Sequence, residues 1–293
     1  MKTIDQAKNL INLPYNKFNL DNYFNVLTET YGEELKFTST FKNQPIRLMS
    51  GEHSLSGIVR LNNRTTKRNI FLVGKGILFD SGGLNLKTRG MEEMTGDKAG
   101  MITALAVADH FKENVVAFCP VTTNFIHTSM IIPGDEIDIG RKTVKITDTD
   151  AEGRLILAEA LTELNASKND IVITIATLTG AVGYAIDDRA TGVFSLNDKL
   201  AKSYIESSIE AKEYAWRLPL FDYMQKDYDK RIVPNYNKNI KAGASEAGMF
   251  LKQFVKYENN WLHLDIAYSA FNKSKQASGV PINTLINFIE KIK

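Results

Sequence analysis

Five short segments that are apolar along nearly their whole length, rather than on alternate residues, constrain the fold of this 293-residue chain most. Asn69–Gly74, Val115–Thr122, Ile171–Leu178, Thr191–Leu196 and Trp261–Ile266 read as strands buried on both faces. Between and around them, Ala99–Phe111, Leu155–Asn165, Leu200–Trp216, Ala244–Lys256 and Pro281–Ile292 carry apolar residues at three- and four-residue spacing, with Ser245 and Pro281 as helix-starting residues. The alternation predicts an α/β fold, a mainly parallel but mixed central sheet sandwiched by helices, in a single domain spanning residues 1–293. A further strand or hairpin is expected between Ile131 and Ile146. Residues 1–60 are expected to supply edge helices, one or two of them within 8–30, and the first strands. The polar stretch 224–242 reads as a surface excursion.

Composition narrows the function classes. With 43% hydrophobic and 24% charged residues the chain can bury a real core, which excludes a disordered tail. Thirty-six Lys+Arg against 34 Asp+Glu leave +2, so no global field draws it to nucleic acid or an anionic membrane. The single cysteine, Cys119, sits in an apolar run and cannot form an internal disulfide, as suits a reducing compartment. The N-terminal residues lack an apolar signal region, and no stretch reaches the ~18 apolar residues of a membrane span. A soluble intracellular protein is the expectation.

Ligands of open α/β sheets sit beyond the carboxyl ends of strands, and two loops there are unusual. One runs from Gly74-Lys75-Gly76 through Asp80-Ser81-Gly82-Gly83 to Lys87; the other reads Thr147-Asp148-Thr149-Asp150-Ala151-Glu152-Gly153-Arg154 before a helix. The four histidines form no H-E-x-x-H, the glycines form neither a P-loop nor a dinucleotide fingerprint, and neither Ser81 nor Ser245 stands in G-x-S-x-G. Asp148 or Asp150 alone could simply cap a helix. Together, Asp80, Asp97, Asp150 and Glu152 supply four negative charges, enough to balance two divalent cations, with Lys75, Lys87 and Arg154 beside them. Spacing alone leaves that dinuclear site a hypothesis.

Thr149-Asp150-Ala151-Glu152-Gly153-Arg154-Leu155 resembles the N-T-D-A-E-G-R-L signature of the leucyl (cytosol) aminopeptidase family. Val73-Gly74-Lys75-Gly76, Phe79-Asp80-Ser81-Gly82-Gly83, Met91-Glu92-Glu93-Met94 leading to Asp97, Ala176-Thr177-Leu178-Thr179-Gly180-Ala181, Trp216-Arg217-Leu218-Pro219-Leu220 and His263-Leu264-Asp265-Ile266-Ala267 follow in the family's order. The match runs over nearly the whole chain, with no counterpart of the family's separate N-terminal domain. The resemblance implies a dinuclear-metal aminopeptidase that removes Leu or another apolar residue from short peptides with a free N-terminus. It implies that Lys75, as a neutral amine, and Asp97 share one metal, that Asp80 and Glu152 bridge the pair, and that Asp150 completes the other site. Lys87 is implied to polarise the scissile carbonyl, and Arg154 to hold a bicarbonate that takes the proton from water. Met94, Thr177, Leu178, Gly180 and Ala267 are implied to line the pocket for the first side chain. Zinc, manganese or cobalt, a cytoplasmic location and a homohexamer follow from the same resemblance.

Departures from the family pattern are Asp148 in place of Asn, Lys98 after Asp97, a pair that offsets in charge, the 124–130 loop in place of a glycine-rich one, and Met101-Ile102 in place of small residues. Two other classes compete: a non-enzymatic scaffold or DNA-binding regulator, against which near-neutral charge argues, and a dinuclear phosphoesterase in which Lys87 and Arg154 clamp a phosphate.

Overall fold

The computed structural model describes all residues except Met1, Phe41–Asn43, Glu52 and Thr66. Among the described residues nine strands form the main sheet. Its order runs Lys36–Ser39, Gly57–Leu61, Val115–Asn124, Ile70–Gly74, Ile171–Ala176, Trp261–Asp265, Thr191–Phe194, Ala215–Arg217, with Gly76–Asp80 pairing beside the distal half of Val115–Asn124. The four central strands, from Val115–Asn124 to Trp261–Asp265, are mutually parallel; antiparallel pairings lie toward the edges. The sheet is therefore mixed with a parallel centre, as the sequence predicts.

The doubly apolar strands feed two cores. Along Ile70–Val73, Ile70 and Leu72 pack into one and Phe71 and Val73 into the other, because successive side chains leave a strand on opposite faces. Helices Lys2–Asn12, Tyr23–Tyr31, Ala99–Phe111, Asp198–Ala211 and Ile282–Ile292 cover the first face, and Gly153–Glu163 and Gly243–Lys252 the second. Ala99–Phe111 is buried from Ala99 to Ala108 and correspondingly apolar all round. Gly74 and Gly100 let it approach the sheet: a Cβ on Gly74 would meet the Gly100 carbonyl at 2.3 Å. That close approach brings Asp97, just ahead of the helix, to the end of the strand that carries Lys75. Among the described residues no helix is long and apolar enough to cross a membrane.

Four expectations need correction. Gly76–Asp80, read as part of the loop beyond the first strand, is itself a strand. The helix expected over Leu200–Trp216 ends at Ala211, where Lys212 turns left-handed at φ 58°, and Ala215–Arg217 joins the sheet edge. Ser245 lies inside its helix rather than at its start, the flanking residue being Ala242. The stretch 224–242 is no simple excursion: Ile232–Pro234 pairs with Lys142–Lys145 of the small hairpin sheet, and Met224, Tyr228, Val233, Asn235 and Asn237 are buried. The predicted hairpin between Ile131 and Ile146 is Glu136–Ile139 with Lys142–Lys145.

Candidate metal centre

Two neighbouring parallel strands run out into the site. Lys75 follows Ile70–Gly74 and Thr177 follows Ile171–Ala176; the Lys75 N–H donates to the Ile175 carbonyl at 2.9 Å, and its own carbonyl accepts from the Met101 N–H at 2.8 Å. The Lys75 ammonium lies 2.9 Å from Asp97 Oδ1 and 2.9 Å from Glu152 Oε1 and donates to the Thr177 carbonyl at 3.0 Å, with only 3% of its side chain exposed. Gly153 makes this possible, since a Cβ there would lie 2.6 Å from Lys75 Nζ. The glycine of the acidic motif is thus a spatial requirement of the lysine on another strand.

Asp80 closes its strand facing the same point. Its Oδ1 accepts from the Gly82 N–H at 2.8 Å and from Asn124 Nδ2 at 2.7 Å, while Oδ2 is 2.7 Å from the Lys87 ammonium. Lys87 also pairs with Asp150, which is about a third exposed. Asn235, invisible to the sequence reading, clamps the loop that presents Asp150 and Glu152. Its Oδ1 accepts from the N–H groups of Thr147 and Asp148 at 2.8 and 3.2 Å, and its Nδ2 donates to the Asp148 carbonyl at 2.6 Å. An asparagine can do this because its amide presents donor and acceptor together.

Asp80, Asp97 and Glu152 each place one carboxylate oxygen so that the three lie within 4.8 Å of one another, all three residues buried. Like charges so close and so dry are unfavourable without cations. Burial pushes the Asp97 carboxyl above the ordinary range, Lys75 opposing and Glu152 and Asp80 reinforcing. Glu152 is raised likewise, by burial and then by Asp80. The two lysines are the reply: burial disfavours the Lys75 charge, but Asp97, Glu152 and Asp80 outweigh it and hold the ammonium protonated beyond the usual lysine range. Lys87 is held charged in the same way, chiefly by Asp80 and Glu152 against its burial. To act as a neutral ligand Lys75 must surrender this proton as cations take over the charge. Asp97 Oδ2 and Glu152 Oε2 are buried and have no hydrogen-bond partner, whereas buried polar atoms are ordinarily satisfied. Oxygens orphaned on two carboxylates, with a primary amine between them, are a donor set that fits hard or borderline divalent cations.

A cleft of about 970 Å³ opens over this centre, floored by Lys75, Asp80, Lys87, Asp97, Asp150 and Glu152. Met94, Thr177, Leu178, Gly180 and Ala267 line the same cleft, so every expected pocket residue is gathered there. Asp265, which the sequence reading assigned no role, arranges this wall: buried, it accepts from the N–H groups of Leu178, Thr179 and Ala267 and from the Thr179 hydroxyl at 2.7 Å. An aspartate ending an otherwise apolar strand was the signal that could have found it.

Arg154 lies apart from the main cleft. It lines an adjoining recess of about 270 Å³ that shares Asp150, Glu152 and Gly180, and its Nη1 donates to Glu246 Oε2 at 2.5 Å and to the Asn235 carbonyl at 2.9 Å. Tyr236 and Phe250 flank the guanidinium at 5.6 and 5.8 Å. Glu246, fully buried, also accepts from the Tyr228 hydroxyl and the Asn237 N–H. Lys98 and Asp148 do not compensate one another. Lys98 Nζ donates to the carbonyls of Leu13 and Thr95 over the Phe18 ring, and burial lowers it to about 7 against the pull of Asp97; Asp148 Oδ1 accepts from the Asp150 N–H.

Fold and site together define a class: an α/β protein with a candidate carboxylate-and-lysine metal centre at the carboxyl ends of its parallel strands. The chain belongs to the cytosol aminopeptidase family, whose catalytic-domain model matches residues 49–286. It is 38% identical over 233 residues to a probable cytosol aminopeptidase of Buchnera aphidicola subsp. Baizongia pistaciae, covering 76% of this chain and 46% of that protein. Over 312 residues it is 32% identical to the probable cytosol aminopeptidase of Chlorobaculum tepidum, covering 98% and 62%. The chain spans about half the length of most of the curated relatives it matches. Among solved structures, the bottromycin maturation enzyme BotP in complex with Mn superposes with a TM-score of 0.85 at 26% identity, covering 99% of this chain and 70% of that one.

Proposed function

We propose that this chain is a metal-dependent aminopeptidase that removes an apolar N-terminal residue, leucine by preference, from short peptides. The observation that carries the reading is the pair of unpartnered buried oxygens on Asp97 and Glu152 beside the buried Lys75 amine, on the floor of a cleft of peptide size. Two divalent ions, zinc, manganese or cobalt, held by Lys75, Asp80, Asp97, Asp150 and Glu152, would supply Lewis-acid activation of the peptide carbonyl and of water. The remaining work belongs to the chain. Met94, Thr177, Leu178, Gly180 and Ala267 receive the first side chain, and their largely apolar surface favours Leu and Met. Lys87 keeps a positive charge at the cleft floor, suited to a developing oxyanion once Asp80 and Asp150 no longer occupy it. Arg154, held by Glu246, lines the side recess, where a bicarbonate would accept the proton. No side chain then need serve as general base.

The test is hydrolysis of leucine p-nitroanilide by protein incubated with Mn²⁺ or Zn²⁺, alongside EDTA-treated protein, the N-acetylated substrate and Glu152→Ala. Turnover that vanishes in all three controls supports the reading; inert, folded, metal-loaded protein refutes it. A phosphomonoester in the same assay separates the phosphoesterase alternative. The reading includes a cytoplasmic location and a homohexamer. Light scattering that finds only a 32.8 kDa species would refute the assembly.

A further inference from the structure

We propose that Arg89 and Lys273 form a carboxylate-binding subsite at the mouth of the cleft, making zwitterionic tripeptides the preferred substrates. This rests on the aminopeptidase reading for its direction, amine at the floor and carboxylate at the mouth. The charges lining the cleft are segregated. Four carboxylates against Lys75 and Lys87 line the largely buried floor, whereas the exposed part of the lining, the mouth, carries Arg89, Arg189, Lys273 and Lys275 against Asp188 and the half-buried Glu93. Two of the mouth cations are already committed: Lys275 pairs with Glu93 at 3.1 Å, and Arg189 with Asp187 at 3.2 Å and Asp188 at 3.8 Å. Among the described residues Arg89 and Lys273 have no hydrogen-bond or ion-pair partner, so the mouth holds two uncompensated positive charges.

Neither cation sits on a loose tail. Arg89 is two residues beyond Lys87, whose N–H closes the loop onto the Ser81 carbonyl at 2.9 Å, and Gly90 at φ 65° turns the chain into the segment carrying Met94 and Asp97. Lys273 is presented by a turn built on Asn272, whose Oδ1 accepts from the N–H groups of Ser274 and Gln276 at 2.9 and 3.2 Å, with Phe271 bridged to Ala277 at its base. That turn is anchored to the metal-ligand segment, since a Cβ on Gly96 would meet the Phe271 ring at 2.5 Å. The span fits as well. A 970 Å³ space is roughly 12 Å across if spherical, and an extended chain advances about 3.3–3.6 Å per residue, so about three residues reach from floor to mouth.

The experiment compares Leu-Gly-Gly with its C-terminal amide on Mn²⁺-loaded protein, in the native chain and in the double variant Arg89→Gln/Lys273→Gln. It is paired with calorimetric binding of the reduced-amide analogues, acid and amide, which need no turnover. Native protein is expected to show a KM for the acid roughly three- to tenfold lower than for the amide, as partly exposed ion pairs allow, with similar kcat. The same ratio should appear in the binding constants, shrink at high salt and converge toward one in the double variant. Equal constants for acid and amide in the native protein, or a preference that survives the double substitution, overturn the subsite. If nothing is hydrolysed but the acid analogue binds better and the variant abolishes the difference, the subsite stands and the aminopeptidase reading falls.

Discussion

Gly153→Ala offers a sharp test of the site because two physical effects predict opposite signs. At an ordinary helix position, exchanging glycine for alanine stabilises by up to about 1 kcal/mol through backbone entropy and helix propensity. Here the new Cβ would lie 2.6 Å from Lys75 Cε and Nζ and 2.8 Å from Cδ. Restoring ordinary contact requires the amine to retreat by about 0.8 Å. Its 2.9 Å pairings with Asp97 and Glu152 would then stretch beyond hydrogen-bond range. Overpacking typically costs about 1–3 kcal/mol, more than the helix gain. The variant should therefore unfold at lower urea concentration than the native chain, bind Mn²⁺ at least tenfold more weakly by calorimetry, and lose most peptidase turnover. A Gly153→Ala protein as stable as the native one and with undiminished Mn²⁺ affinity would refute the claim that Gly153 exists to admit Lys75.

Three further outcomes follow from particular contacts. Glu246→Ala leaves the buried Arg154 guanidinium without its carboxylate and should destabilise the protein by about 3–5 kcal/mol, read as a fall in thermal midpoint, whereas Glu246→Gln should cost less. Glu159, buried under the Ile46 N–H that it accepts at 2.8 Å, is pushed up to about 8 by burial. Because the folded state keeps this proton while the unfolded state releases it near its ordinary pKa, this group makes stability fall as pH rises between about 4.5 and 8 and level off above. The stability of Glu159→Gln relative to the native chain, measured by urea denaturation, should accordingly grow between pH 5 and 8; a constant difference would contradict the assignment. Lys87→Met should lower kcat on leucine p-nitroanilide by about 10²–10³-fold with little change in KM, as loss of one transition-state contact does, while Mn²⁺ binding persists.

Much of the fold was legible because physics writes it locally. Strands buried on both faces must be apolar throughout, and the helix Ala99–Phe111, covered on all sides, shows it in its composition. The acidic motif and Lys75 could be placed beyond strand ends from the sequence. What escaped was decided by contacts distant in sequence. Asn235 lies in a stretch whose polarity suggests solvent, yet it is fully buried because loop peptides some 85 residues away satisfy its amide. The Gly76–Asp80 strand is hidden by glycines that serve close packing, Gly76 facing the Pro120 carbonyl. The end of the helix at Ala211 depends on Lys212 adopting a left-handed conformation, although the apolar period runs on to Trp216. Lys98 and Asp148 offset in a charge count, but the fold sends their side chains to different partners.

The central claim is that Lys75, Asp80, Asp97, Asp150 and Glu152 together hold two divalent cations. Calorimetric titration of the chelator-stripped native chain with Mn²⁺ tests it most directly, with Asp97→Asn measured in parallel. The account predicts two ions per native chain, proton release as Lys75 and the raised Asp97 and Glu152 carboxyls give up their protons, and at least one ion lost in Asp97→Asn. A native chain that binds no Mn²⁺, or binds it without regard to Asp97, would contradict it.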